Sequence, residues 1–250
     1  GWLALAVKVA RRPGVLAEDM RVLPGRAGLA AASMSGMAAA SVLLPYAPGV
    51  AAAVALALAI LRILAGMPAE ARGVNPVWHL TFVGFIIGGL SAAPLGHEAL
   101  ARWLLWGTLP VAGVIWGISL AQLLRRVPPA PLRPLLAIHL APAALFSTVA
   151  GLTGQATLAM VFAGLALALL LVMLAAGRWI AEAGFTPLWG AFTFPLTALA
   201  SALLASDAAF IWTGIAVLVT ALGFVPSVLW RVMRLWPGGQ LAARTNAAEA

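Results

Sequence analysis

The chain has 250 residues, 63% hydrophobic and 9% charged, against about 25% charged in an average soluble domain, so its composition is that of an integral membrane protein. It contains no cysteine, which excludes disulfides, thiolate catalysis and thiolate metal sites. The net charge of +8 sits between apolar runs and forms no aromatic-basic face, so nucleic acid is not an expected partner.

In chain order, residues 1–9 read as the end of a spanning helix. The chain opens on Gly1 inside an apolar run, so it is expected to be part of a longer protein, with no recognisable signal peptide. A basic connection, Lys8 to Arg26, leads into eight apolar runs at 27–44, 47–65, 76–94, 100–123, 134–153, 156–175, 186–205 and 209–230. About 20 residues cross the hydrocarbon core as a helix, and each run is close to that length. Connections after residues 44, 94, 153 and 205 are short, and the others are longer and carry arginine. Sorting the 15 Lys and Arg by side puts 14 on one face of the membrane and only Arg102 on the other. By the positive-inside rule the arginine side, with the C-terminus, is cytoplasmic.

The first helices of successive hairpins start near 27, 76, 134 and 186, a period of about 50 residues that suits a two-helix unit. Pro76 is followed eight residues on by Gly84, Pro134 by Pro142 and Pro187 by Pro195. Each of these helices is expected to open with proline and to bend at a breaker two turns deeper. The second helices around 51–64, 156–174 and 209–224 are rich in Ala and Leu without proline, suited to close packing in lipid. The expected fold is therefore all-α: hairpin repeats with bent first helices inside around a central pore and straight second helices outside. One more helix upstream would make five hairpins and ten spans, of which this chain holds eight and a part. A single transmembrane domain is expected, with hairpins at 27–65, 76–123, 134–175 and 186–233 and a cytoplasmic tail at 234–250.

All seven acidic residues fall in connections or at ends. That disfavours proton-coupled and cation pathways, which use intramembrane carboxylates, and suits an anion pathway with arginines at its mouth. His79 and His139 lie near the starts of two first helices, where they either line the mouth, pack with Asn75, Trp78 or Thr81 satisfying His79, or ligate haem iron. No cofactor and no metal are expected, haem being the alternative. Phe194 lies 8–9 residues into its helix, near the membrane centre, directly before Pro195. Its ring either plugs a narrow pore or packs in the core, and Phe192 points elsewhere and packs. Thr81, Ser147, Thr148 and Thr193 are candidate polar lining, with Pro142, Gly84 and Pro187 as further kink or pore-lining positions.

The segment Gly190-Ala191-Phe192-Thr193-Phe194-Pro195 resembles the W-A-[FY]-S-F-[PG] segment of the family that includes the bacterial tellurite-resistance protein TehA, plant guard-cell slow anion channels and yeast-type malate and sulfite transporters. Asn75-Pro76-Val77-Trp78 and Leu140-Ala141-Pro142-Ala143 are weaker matches, and the connection from Lys8 to Arg26 is also similar. Gly190 stands where the family has tryptophan, with Trp189 adjacent. The resemblance implies a homotrimer in the bacterial inner membrane, one pore per subunit, and a phenylalanine occluding each pore at the position of Phe194. The function it implies is passive conduction of small inorganic or organic anions. A secondary carrier for dicarboxylate, sulfite or tellurium oxyanions, and a non-transporting membrane anchor, are the alternatives.

Overall fold

The computed structural model describes residues 74–235, with scattered positions between 7 and 18 and at 240. The expected hairpin at 27–65, most of the connection from Lys8 to Arg26 and the tail beyond 235 lie outside the described residues. Val74–Leu229 forms one compact unit.

The described elements are helical, and the helices occupy the six apolar runs from residue 76 onward. Two short turns after Asn75 lead into a π-helix, His79–Val83, a 3₁₀ turn, Gly84–Ile86, and then α1, Ile87–Ala92. α2 follows at Glu98–Arg125. A long 3₁₀ segment, Ala130–His139, runs directly into α3, Leu140–Leu152, and α4 returns at Ala156–Ala175. A single helical turn, α5, Gly177–Ile180, opens the next connection. The last hairpin is a 3₁₀ segment, Pro187–Phe192, continuing into α6, Thr193–Ala205, and then α7, Ile211–Arg234, which begins after a short 3₁₀ turn. Five of these stretches are long and apolar enough to cross a membrane, and His79–Ala92 is a shorter apolar one.

The turns that reverse the chain are tight. Gly96 and Gly154 carry φ of 82° and 75°, values that glycine adopts at no steric cost, so five residues (93–97) and three (153–155) suffice between helices. On the opposite side the chain reverses through longer stretches bearing Arg125, Arg126, Arg133 and Arg178, and α7 runs back to Arg231 and Arg234. Arg102, one turn inside α2, pairs at 3.0 Å with Glu98.

At their breakers the first helices change winding. In α3 and α6 the proline, Pro142 or Pro195, is the third residue of the α segment, and the stretch before it is 3₁₀. The physical reason is the missing N–H. The first turn of an α-helix has no i−4 carbonyl to reach, so a proline placed there forfeits no bond. Restarting the winding just ahead of the proline removes the conflict that would otherwise kink the helix. Gly84 takes part in the same device, opening the 3₁₀ turn between the π-helix and α1. Prolines within a continuous α-helix occur instead in the second helices, at Pro110 of α2 and Pro226 of α7.

α3 is the centre of the unit, packed on α1, α2, α4 and α6 and buried over nearly its whole length. Ala141, Ala143, Ala144 and Ala150 let its neighbours approach closely, as small residues do between helices in lipid. α2 and α7 are exposed along most of their length, as outer helices are expected to be. The Pro187–Ala205 stretch differs from the expected inner position, being no more buried than α4. Its hairpin packs on that of α3 and α4 from one side only among the described residues.

Candidate functional site

On the basic side of the unit the irregular starts of the three first helices come together. The 3₁₀ segments Ala130–His139 and Pro187–Phe192 pack on each other, and His79–Val83 packs on the former. Runs of 3₁₀ longer than three or four residues are uncommon, and π-turns within helices gather at functional sites, so this cluster is a natural place to look.

Phe194 is the second residue of α6. Six 3₁₀ residues rise about 2.0 Å each and α residues about 1.5 Å, which places Phe194 roughly 15 Å from the start of its span. That is about half of a hydrocarbon core about 30 Å thick. The 3₁₀ winding carries the ring slightly deeper than a continuous α-helix would. Phe194 is half-buried, whereas Pro195 behind it is buried. Phe192 belongs to an aromatic cluster with Trp189 (ring centroids 5.7 Å apart) and Phe224 (6.1 Å). Trp189 is fixed in turn by donating its indole N–H to the Gly184 carbonyl at 3.0 Å. Among the described residues, no aromatic ring pairs with Phe194.

Of the candidate polar lining, Thr193 and Thr148 are half-buried and donate to the Gly190 and Ala144 carbonyls one turn back. Thr197, one turn beyond Thr193, is exposed and donates to the Phe194 carbonyl at 2.8 Å. Thr81 and Ser147 are buried. Ser147 donates to the Ala159 carbonyl at 2.9 Å and lies 3.3 Å from the Ser206 hydroxyl, so it ties α3 to α4 and to the end of α6. A hydroxyl in a span is satisfied as readily by a neighbouring helix as by a pore, and here the helix prevails. Gly84 and Pro142 are buried and Pro187 is half-buried.

His79 and His139 are both buried and meet each other: His79 Nε2 lies 2.9 Å from His139 Nδ1, with the rings edge to face. Asn75 does not serve as the bonded partner of His79; its side-chain oxygen accepts from the Val77 N–H at 3.0 Å. Trp116 of α2 braces the pair, stacking 5.4 Å from the His79 ring and donating its indole N–H to the His139 carbonyl at 3.2 Å. One imidazole must donate the shared hydrogen and the other accept it, which couples their tautomers. The outer nitrogens, His79 Nδ1 and His139 Nε2, then comprise one donor and one acceptor, both buried without a protein partner. A metal ligated between two imidazoles holds its nitrogens about 4 Å apart, so nitrogens in direct contact do not fit the bis-histidine haem arrangement. Among the described residues no three His, Asp or Glu side chains converge on a metal position.

Sequence reasoning treats Arg133 as one of many topology-setting arginines. The structure singles it out, since among the described arginines it alone is buried. Its Nε donates to the Pro128 carbonyl at 3.1 Å and its Nη1 to the Trp179 carbonyl at 2.9 Å. Nη1 also pairs with the Glu182 carboxylate, and the guanidinium lies 4.4 Å from the centre of the Trp179 ring. The one available signal is position, because Arg133 alone among the basic residues of its connection stands directly before a first-helix proline, Pro134.

The sequence model of the SLAC1 family, described as voltage-dependent anion channel, matches residues 2–234. No individual curated protein matches the chain significantly. An all-α chain with at least five apolar spans, matched over nearly its whole length, is a multi-pass membrane protein that belongs to the SLAC1 family of anion channels and transporters.

Proposed function

We propose that this chain is a channel that conducts small inorganic or organic anions passively, through a pore closed by the phenyl ring of Phe194. The observation that carries the reading is the setting of that ring. It is half-buried, roughly 15 Å along its span by helix rise, just ahead of a buried proline, and outside the aromatic cluster that holds its neighbour Phe192. A large apolar side chain so placed gates a narrow pore by its rotamer. Charge supports an anion as cargo: among the described residues from 74 to 235 the acidic ones, Glu98, Glu182 and Asp207, all lie at helix ends or in connections, so no carboxylate there repels an anion within a span. Pro195, Pro142, Gly84 and Pro187 set the winding of the helices around such a pore, with Thr193 and Thr148 contributing polar lining. His79 and His139 serve as a cross-link behind its mouth. The same reading takes the assembly to be a homotrimer in the bacterial inner membrane; for the cytoplasmic C-terminus the support is the one-sided distribution of arginine.

The test is chloride and nitrate current through the full-length protein in planar bilayers, wild type against Phe194→Ala. The expected result is an anion-selective current at least about tenfold larger in the variant, the equivalent of removing about 1.4 kcal/mol of barrier. Equal currents would leave a channel but make Phe194 a packing residue. Silence from both, with saturable counterflow of a dicarboxylate or sulfite in vesicles, would replace the channel by a carrier.

A further inference from the structure

The connection between α4 and the last hairpin, residues 176–186, runs straight into the 3₁₀ segment that ends at Phe192, two residues before Phe194. It is not left to water. Arg133, from the start of the preceding first helix, holds it at three points: the Trp179 carbonyl, the Trp179 ring and the Glu182 carboxylate. A fourth bond, to the Pro128 carbonyl, fixes Arg133 to its own connection. An arginine that only sets topology stays in water, where its charge is fully solvated. Burying the guanidinium loses that solvation, and only good geometry with several acceptors offsets it. Glu182 itself is largely exposed, with 62% of its side chain accessible, so only one partner of the pair is buried.

We infer that Arg133, Trp179 and Glu182 form a clamp that sets the open probability of the pore, by fixing the seat of the segment leading to Phe194. The inference rests on the phenylalanine-gate reading for the route by which the clamp acts. Arg133 is a positioning residue: it lies on the segment Ala130–His139, which packs against Pro187–Phe192, so both ends of the contact bear on the helix that carries the ring. Releasing the clamp lets that helix start shift, and a ring next to a change of winding is sensitive to such a shift. A clamp of this kind alters how often the pore is open, not how fast an open pore passes ions.

The experiment is single-channel recording of the full-length protein in planar bilayers, with Glu182→Gln and Trp179→Leu, each in the wild-type and the Phe194→Ala background. Glu182→Gln removes the charge of an exposed partner, and Trp179→Leu removes the stacking surface without touching any charge. The expected result is that both raise open probability, by about two- to fivefold, the range of a salt bridge with one exposed partner. Unitary conductance should stay unchanged in Trp179→Leu, and both rises should vanish once Phe194 is alanine. Open probability unchanged in both variants would overturn the clamp. A rise in unitary conductance confined to Glu182→Gln would overturn it too, because it reports surface charge at the mouth. Rises that persist undiminished with Phe194→Ala would overturn the route through the ring. If Phe194→Ala conducts like wild type, the gate reading fails, and open probability in the other two variants still decides the clamp.

Discussion

Gly89 of α1 faces Val149 of α3 in the unit's centre. A Cβ built on Gly89 would stand 2.9 Å from one methyl of Val149 and 3.1 Å from the other. Ordinary contact begins near 3.4 Å, so the change Gly89→Ala asks for a local shift of about half an ångström. Val149 cannot supply it by rotating. It is β-branched and helical, held to one preferred χ1, and fully buried, and both methyls are in the way. Overpacking of this kind costs about 1–3 kcal/mol, and the helix preference of alanine over glycine returns up to about 1 kcal/mol. Gly89→Ala is therefore expected to destabilise by about 1 kcal/mol. Val149→Ala removes both obstructing methyls, so the two changes should couple favourably by about 1–3 kcal/mol in a double-mutant cycle. The assay is unfolding of the purified full-length protein in detergent, followed by helical circular dichroism. Gly113→Ala, with nothing within 4 Å of the added carbon, is the control and should be neutral or stabilising. If Gly89→Ala proves as stable as Gly113→Ala, or the cycle is additive, then α1 and α3 are not held at this distance.

Pro195→Ala should change stability by less than about 1 kcal/mol, because a first-turn proline forfeits no bond. Pro110→Ala, in the middle of α2, restores an N–H to the Trp106 carbonyl and should stabilise more, by up to about 3 kcal/mol. Equal gains in the same unfolding assay would mean that Pro195 does kink its helix. A third prediction concerns the histidine pair. His79→Ala leaves His139 Nδ1 buried without its partner and should cost about 1–3 kcal/mol, while the double change to leucine should be closer to neutral. The protein incubated with haemin and freed of unbound haemin by gel filtration should carry no Soret band, and a retained band that His139→Ala abolishes would refute the direct pairing of the rings.

What could be read from the sequence divides along a physical line. Spans and sides follow from one-dimensional quantities, run length and the placement of arginine, so the six runs from residue 76 were legible. Lateral relations depend on the rotation of each helix, which composition leaves open. His79 and His139 lie 60 residues apart and were both placeable on the basic side, yet their meeting depends on a π-turn and a ten-residue 3₁₀ stretch that no periodicity announces. Ser147 and Thr81 looked like pore lining because a hydroxyl in a span needs a partner. Which partner it takes is decided by rotation, and Ser147 finds its own in the Ala159 carbonyl of the next helix. Arg133 was hidden among equivalent arginines because burial, not charge, distinguishes it.

The repeat carries one step further than either view alone. α3 and α6 are both 13 residues long, each with proline at its third position and a 3₁₀ segment ahead of it. They are therefore two copies of one device, and their second residues, Ala141 and Phe194, are equivalent. In the copy at the centre of the unit that position is a buried alanine, among neighbours that leave no room for a ring. In the other copy it is a half-buried phenylalanine. The helix start needs no ring there, since α3 forms the same start without one. The proposed gate would account for a phenyl group at a position where the equivalent helix start has alanine, and the ring of Phe192, unlike it, is used in the aromatic packing.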